Sequence, residues 1–457
     1  MPAYDFTRRS RQPSDPDVVV VGAGLAGLAA ARALAAQGLD VQVLEAAPHI
    51  GGRTATDELD GFRLGHGIHL LNTDHPEPAR RLDLDRLDLR PLTPGVLVHA
   101  AGRRQRVGVP PAPTRQTAAR GALAGGLGNG LGSSLAGPLN GLLGSPLDRA
   151  RLSSALGRLA ATPVPRLLAR PETGAGKAFT DRGLATRTVE GFLRPLLGAL
   201  LADRSLTTSS RVADLTLRSY ARGRLCLPAA GPGAVPAQLA EGLPAGSVRL
   251  GTEVTAVSTD GVQTARHGRI TARAVVLACD ARAAAGLLPG LRLPGFHSVT
   301  TYFHVADRSP LGEPALLLDA DRSGVSHSLV LSDVHASYAP AGRALIATTV
   351  LGRRGYGAGG PAGFEPAVRR RLAELYGTST TGWDFLAVRH SPDAVPAMPA
   401  PHHFRRSVRL LAGLYVCGDH RDTSSVQGAL VSGRRAARAV LRDLGLGTSA
   451  GAAEAAA

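Results

Sequence analysis

The chain has 457 residues, 44% of them hydrophobic, with 52 Lys and Arg against 36 Asp and Glu, a formal net charge of +16. That length and apolar content suffice for a large core and two domains, and no apolar segment is both long enough and poor enough in glycine to read as a transmembrane helix. Nearly all the positive charge is arginine, Lys177 being the single lysine, and it is spread along the chain without interleaved aromatics; this argues against specific nucleic-acid binding and leaves only weak attraction to an anionic membrane surface as an expectation.

Met1 to Asp15 reads as a disordered tail. The run Asp17 to Gly27 (DVVVVGAGLAG) follows it. Val18 to Val21 is the β-branched apolar run of a parallel strand covered on both faces. Gly22 permits a tight turn, Gly24 lets backbone N–H groups approach phosphate oxygens, and Gly27 lets the following helix pack on the strand. The leading residues Leu25 and Ala26 then present orphan N–H donors and a positive dipole end to a diphosphate. In a chain with 56 glycines this spacing is weak alone, but its context is specific. Leu25 to Gln37 is an alanine-rich helix stopped by Gly38, and Asp40 to Leu44 is a second strand ending at Glu45-Ala46. Glu45 stands where a strand end brings a carboxylate to ribose hydroxyls. The first apolar run is therefore a dinucleotide site and not a secretory signal, so a cytoplasmic protein is expected.

Further along come Gly51-Gly52-Arg53-Thr54, and then Arg63 to His69, in which His69 lies on an apolar run and is a candidate for moving a proton near neutral pH, or a satisfied structural histidine. Gly121 to Leu147 has no charged residue and reads as a low-complexity insertion or a membrane-dipping, substrate-entry element. Lys177 reads as a solvated loop residue. From Ser247 to Leu250, Glu253 to Thr259, Val262 to Ala265 and Ala274 to Ala278 run successive strands broken by Gly251, Gly261 and Gly268. Tyr302, His304 and the segment Ala394 to Pro399 are candidates for lining a pocket, although strand packing explains the first two equally well. His402-His403 lacks partners at metal-ligand spacing, so no metal site is expected. Gly413 to His420 (GLYVCGDH) is a short strand ending in Gly418-Asp419, Ser424 to Leu441 a helix, and Gly447 to Ala457 a second tail. Cys226, Cys279 and Cys417 are far apart and read as small core residues in a reducing compartment.

The glycine turn, Gly51-Gly52-Arg53 and Gly418-Asp419 together resemble the flavin amine oxidase and phytoene desaturase superfamily. Phe192 to Pro195, Thr207 to Arg211 and Gly413 to Ser425 are similar to a less characterised NAD(P)/FAD-dependent oxidoreductase branch of it. The resemblance implies an α/β fold, in which a Rossmann-like, GR2-type FAD-binding domain interleaves with an α+β substrate domain. It implies flavin-domain segments at 16–95, 227–290 and 405–446, and substrate-domain segments at 96–226 and 291–404. It also implies noncovalent FAD, since no cysteine follows Asp419. In that pattern Arg53 screens the diphosphate, backbone at Val254 meets the adenine, and Asp419 accepts from a ribityl hydroxyl. The helix starting near Ser424 or Ser425, with Val426, Gly428 and Ala429 in its first turns, aims its N-terminus at the flavin N1 and C2 carbonyl.

A single dinucleotide fingerprint leaves oxygen, a quinone or a substrate as electron acceptor. The chain departs from the small-amine oxidases in having Ser425 where an aromatic wall is usual and no lysine in Val299 to His304, which puts oxidation of a small primary amine in doubt. The expected activity is dehydrogenation or desaturation of a small or lipophilic organic substrate by hydride transfer to flavin N5. A redox-neutral flavin isomerase and a flavin-bound interaction protein are the alternatives. Oligomeric state leaves no trace in the sequence.

Overall fold

A computed structural model of the chain describes residues 15–108, 144–352, 356 and 359–446. The two expected tails, apart from Asp15, and the glycine-rich stretch up to residue 143 lie outside them. The described residues form two units, the first from those within 1–55, 233–294 and 403–457 and the second from those within 56–232 and 295–402.

The first unit is built on β1 (Val18–Val21), α1 (Leu25–Ala35) and β2 (Val41–Leu44), continues through α2 (Ala234–Glu241), β3 (Val248–Arg249), β4 (Val254–Ser258), β5 (Gly261–Thr264), β6 (Gly268–Thr271), β7 (Ala274–Leu277) and α3 (Ala281–Leu287), and closes with β8 (Arg409–Leu411), β9 (Leu414–Val416) and α4 (Val426–Asp443). Its six-stranded sheet has the order β3-β2-β1-β7-β9-β8. All its pairings are parallel except β8 on β9; Val19 stands opposite Gln42 on one side and Val275 on the other. Val18, Val19, Val20, Val275 and Val276 are all fully buried, so both faces are covered, as a run of consecutive valines requires. On one face the β4-β5-β6 meander sets Val262 and Ile270 against Val19, Val21, Val275 and Leu277. The chain leaves β1 toward β2 on one side and returns as β7 on the other, which makes the β1/β7 strand ends a topological switch point, the place where such sheets bind ligands.

The second unit joins a helical part to a seven-stranded sheet. In sheet order the strands are Asp384–Pro396, Phe296–Ala306, Ala344–Leu351, Val325–Val330, Leu317–Asp319, Val96–Ala100 and Arg103–Val107. The helix Glu365–Tyr376 buries Val368, Leu372 and Leu375 against Tyr302, Ile346 and Val350 of that sheet. Residues 56–95, expected with the flavin domain, fall in this unit. The physical reason is their pairing: Leu71–Asn72 and Leu89–Pro91 both flank the strand Leu225–Pro228, while Thr56–Leu59 closes a hairpin with Phe62–Gly65. Lys177, expected in a loop, lies on the helix Ala175–Asp181 and pairs at 2.8 Å with Asp181 one turn on. Among the described residues no helix is long and apolar enough to cross a membrane.

Candidate functional site

At the carboxyl end of β1 the backbone of Gly22 takes φ +107°, and a Cβ there would lie 2.9 Å from Cys279 N, so both conformation and space demand glycine. A Cβ on Gly27 would sit 2.0 Å from the Gly22 carbonyl oxygen, which is why α1 approaches the turn so closely. Gly24 differs: a Cβ there meets nothing within 4 Å. It is the N-cap of α1, no side chain caps that end, and no acidic residue occupies the first turn. The leading amides at Leu25, Ala26 and Gly27 therefore stand without intrahelical acceptors beside open space, the electrostatic setting that a diphosphate satisfies.

The second glycine motif docks on the first. Gly51 N donates to Ala23 O at 2.9 Å, and a Cβ on Gly52 would be 3.8 Å from Gly24 Cα with no nearer neighbour. Glu45 stands at the end of β2, accepting from Ala23 N at 2.7 Å and from Ala47 N at 2.9 Å. The chain leading to Val254 runs alongside, with Gly251 N donating to Ala47 O and Thr252 N to Glu45 O. The third segment enters through Asp419, whose Oδ1 accepts from Arg53 Nη2 at 2.7 Å, an ion pair joining positions 366 residues apart. Burial acts to lower the Arg53 pKa, but Asp419 and then Asp280 outweigh it and hold the guanidinium above its ordinary value. Arg53 is a fixed cation at the cradle. His420 beside it is pushed down to about 4 by burial, against the pull of Asp419 and with help from Arg421, Arg53 and Arg406, so it is neutral at pH 7. Cys279, next to the glycine turn, is pushed up to about 12 by burial and by Asp280 and Glu45, and stays a thiol.

A model for the family described as flavin containing amine oxidoreductase matches residues 25–441. The chain belongs to that family. Over 77 residues it is 48% identical to putrescine oxidase of Kocuria rosea, a stretch covering 17% of this chain and 16% of that protein. Over 54 residues it is 50% identical to carotenoid 3,4-desaturase of Haloarcula japonica, covering 12% and 11%. The matched stretches thus span well under a fifth of these relatives. The fold agrees over far more: an oxidoreductase from Methanosarcina mazei superposes with a TM-score of 0.68 at 17% identity, covering 92% of this chain and 99% of the other.

FAD is the cofactor of this flavoprotein chain, and the cradle fits it. Space is open at Gly24 and Gly52, where a diphosphate would lie; Arg53 would supply a counter-charge, and Glu45 and Asp419 would supply carboxylates at the two ends. Three stretches far apart in sequence converge there within one unit.

Other expected residues have more local duties. The helix α4 starts at Val426 with Ser425 as its cap, and the Ser425 hydroxyl accepts from Gly428 N. A Cβ on Gly428 would lie 1.9 Å from Thr423 O, so this glycine is required by the turn entering the helix. Gly433 packs α4 on α1, where a Cβ would stand 2.3 Å from Ala26 O. In the second unit, His69 lies beyond the strand Phe62–Gly65, and a Cβ on Gly67 would meet its Nε2 at 3.2 Å. His304 is fully buried and its Nε2 bonds Glu365 at 2.9 Å, while the Tyr302 hydroxyl donates to Pro361 O; both side chains are engaged in packing the helix Glu365–Tyr376 and its approach. Met398 O accepts from Ser209 N, tying the segment 394–399 to Thr207–Arg211.

Ser432 was not singled out from sequence. Fully buried on α4, it accepts from Gly418 N at 2.9 Å and donates to Ala429 O, and so positions the backbone that carries Asp419. Asp280 caps α3 through Arg282 N and Ala283 N and adds to the field at Arg53. An Asp directly after a buried strand and before an alanine-rich run is a readable cap signal; the serine carries none.

Proposed function

We propose that the protein dehydrogenates or desaturates a small or lipophilic organic substrate, with hydride transfer to flavin N5. One observation carries the reading: a cradle with open space at Gly24 and Gly52, closed by the Arg53–Asp419 ion pair. FAD supplies a two-electron acceptor for a C–H hydride. The chain's own residues would bind and orient it: α1 amides and Arg53 would hold its negative charge, Glu45 and Asp419 would accept hydrogen bonds from its hydroxyls, and Ser432 fixes Gly418. The second hydrogen leaves the substrate as a proton, and His69 is our candidate to take it. The desaturase and oxidase names among the relatives support the substrate breadth, and the missing lysine in Val299 to His304 favours a carbon skeleton over a small primary amine. We further place the protein in the cytoplasm, attracted weakly to anionic membrane surfaces by its arginines and making no specific nucleic-acid contact.

The test is anaerobic photometry of the purified protein against panels of amines, alcohols and polyenes. Bleaching of the flavin band by one class, with product carrying one more double bond, is the expected result. Turnover without net bleaching would favour an isomerase, and silence across all panels a non-catalytic flavoprotein.

A further inference from the structure

We infer that the helical part of the second unit holds a binding site for an amphipathic organic acid, an alkyl chain ending in a carboxylate. A cavity of about 740 Å³ opens there, and among the described residues its lining runs from Leu147 to Leu217. That volume lies within the ~300–1,000 Å³ typical of small-molecule sites. No residue of the cofactor cradle and none of the seven-stranded sheet contributes to it.

The lining has two chemistries. Leu152, Leu156, Leu159, Phe179, Leu193 and Leu217 are each no more than 5% exposed and give an apolar floor. They come from the helices Pro146–Ala161, Ala175–Asp181 and Ser210–Arg222 and from the π-helical turn Val189–Leu193. Leu147, 59% exposed, carries the apolar lining to the surface. Four arginines complete the wall: Arg151, Arg158, Arg170 and Arg182. Arg170 and Arg182 share a single carboxylate, that of Asp214, which Arg182 grips with both terminal nitrogens at 2.6 and 2.9 Å. Arg151 stands 3.7 Å from Asp148. Arg158 meets no carboxylate among the described residues, its guanidinium donating only to the Ser154 hydroxyl. The cavity is therefore apolar within and carries excess positive charge.

These features select the ligand class. A neutral hydrocarbon would leave the guanidinium of Arg158 without a carboxylate partner, and an amine would meet like charge. An alkyl carboxylate satisfies both surfaces: its chain leaves water on the leucine floor, and its head forms a charge-assisted pair with Arg158. Both arginines open to change, Arg151 and Arg158, are exposed and outside the core.

The experiment titrates the full-length, flavin-loaded protein with 11-(dansylamino)undecanoic acid, followed by probe fluorescence and by displacement with dodecanoic acid or dodecanol. Saturable binding, with dodecanoic acid displacing the probe at about tenfold lower concentration than dodecanol, is expected. Arg158→Glu should weaken the probe by about tenfold or more, the loss of one charge-assisted contact turned to repulsion. Ala155→Phe, which fills the cavity from its wall, should abolish saturation. The flavin spectrum and thermal melt of both variants monitor the fold. No saturable binding by the unaltered protein, equal displacement by acid and alcohol, or unchanged affinity in well-folded Arg158→Glu would each overturn the site. A colourless protein that still takes up the probe would sink the flavin reading and leave this one standing.

Discussion

Replacing Gly24 with alanine separates a cofactor cradle from an ordinary turn. The residue sits at φ −78° and ψ 179°, which alanine adopts without strain, and its Cβ would meet no atom within 4 Å. As an N-cap, alanine is somewhat worse than glycine, so folding stability without cofactor should fall by no more than about 1 kcal/mol. The methyl instead fills space that a diphosphate must enter. If it keeps the phosphate from even one α1 amide, the lost charge-assisted hydrogen bond costs about 1.5–3 kcal/mol, or a rise of about 10- to 100-fold in the Kd for FAD. Gly27→Ala is the contrasting change. Its Cβ would lie 2.0 Å from Gly22 O and 3.0 Å from the Ala278 Cβ, an overpacking that costs about 1–3 kcal/mol, only partly offset by the ~1 kcal/mol gain in helix propensity. Titration of FAD into apoprotein gives the first quantity and urea unfolding of the same apoprotein the second. Should Gly24→Ala bind FAD with unaltered affinity, the diphosphate does not lie at this helix end.

Glu45→Ala and Asp419→Ala should each lower the flavin content of purified protein, read from the ratio of visible to ultraviolet absorbance; full occupancy in both would show that the segments are wrongly assigned. Ser432→Ala removes the hydroxyl that accepts from the Gly418 amide in a fully buried site, and a cost of about 1–3 kcal/mol in urea unfolding is expected. Gly433→Ala pushes a methyl to 2.3 Å from Ala26 O, so it should destabilise the first unit by about 1–3 kcal/mol and weaken FAD binding by shifting α1; a neutral outcome by melt and titration would contradict the helix contact. His327, 4% exposed, is pushed by burial from 6.5 to about 4. The folded chain thus binds a proton there more weakly than the unfolded chain, so this stability is intact above pH 6.5 and falls as the pH drops toward 4. The loss approaches ~1.4 kcal/mol per pH unit within that window, and urea midpoints of His327→Gln should be less steep in pH than those of the parent chain.

The three cofactor segments were legible because each is a local demand written in residue type. A buried β-branched strand, a turn only glycine can make and a helix without a cap occupy consecutive positions, so Val18 to Gly27 announces itself, and Glu45 and Asp419 follow at strand ends. What depended on tertiary structure were contacts between residues remote in the chain. The Arg53–Asp419 pair, the hold of Ser432 on Gly418 and the close crossing of Gly433 over Ala26 have no local signature. The demand for glycine at 428 is set by the position of Thr423 O, which no neighbouring residue type announces. Likewise residues 56–95 follow the glycine motifs in sequence yet pair with Leu225–Pro228 in space. Backbone conformation is set largely by neighbours along the chain, whereas an ion pair, a shared strand or a cavity such as that beneath Arg158 exists only when separate segments meet.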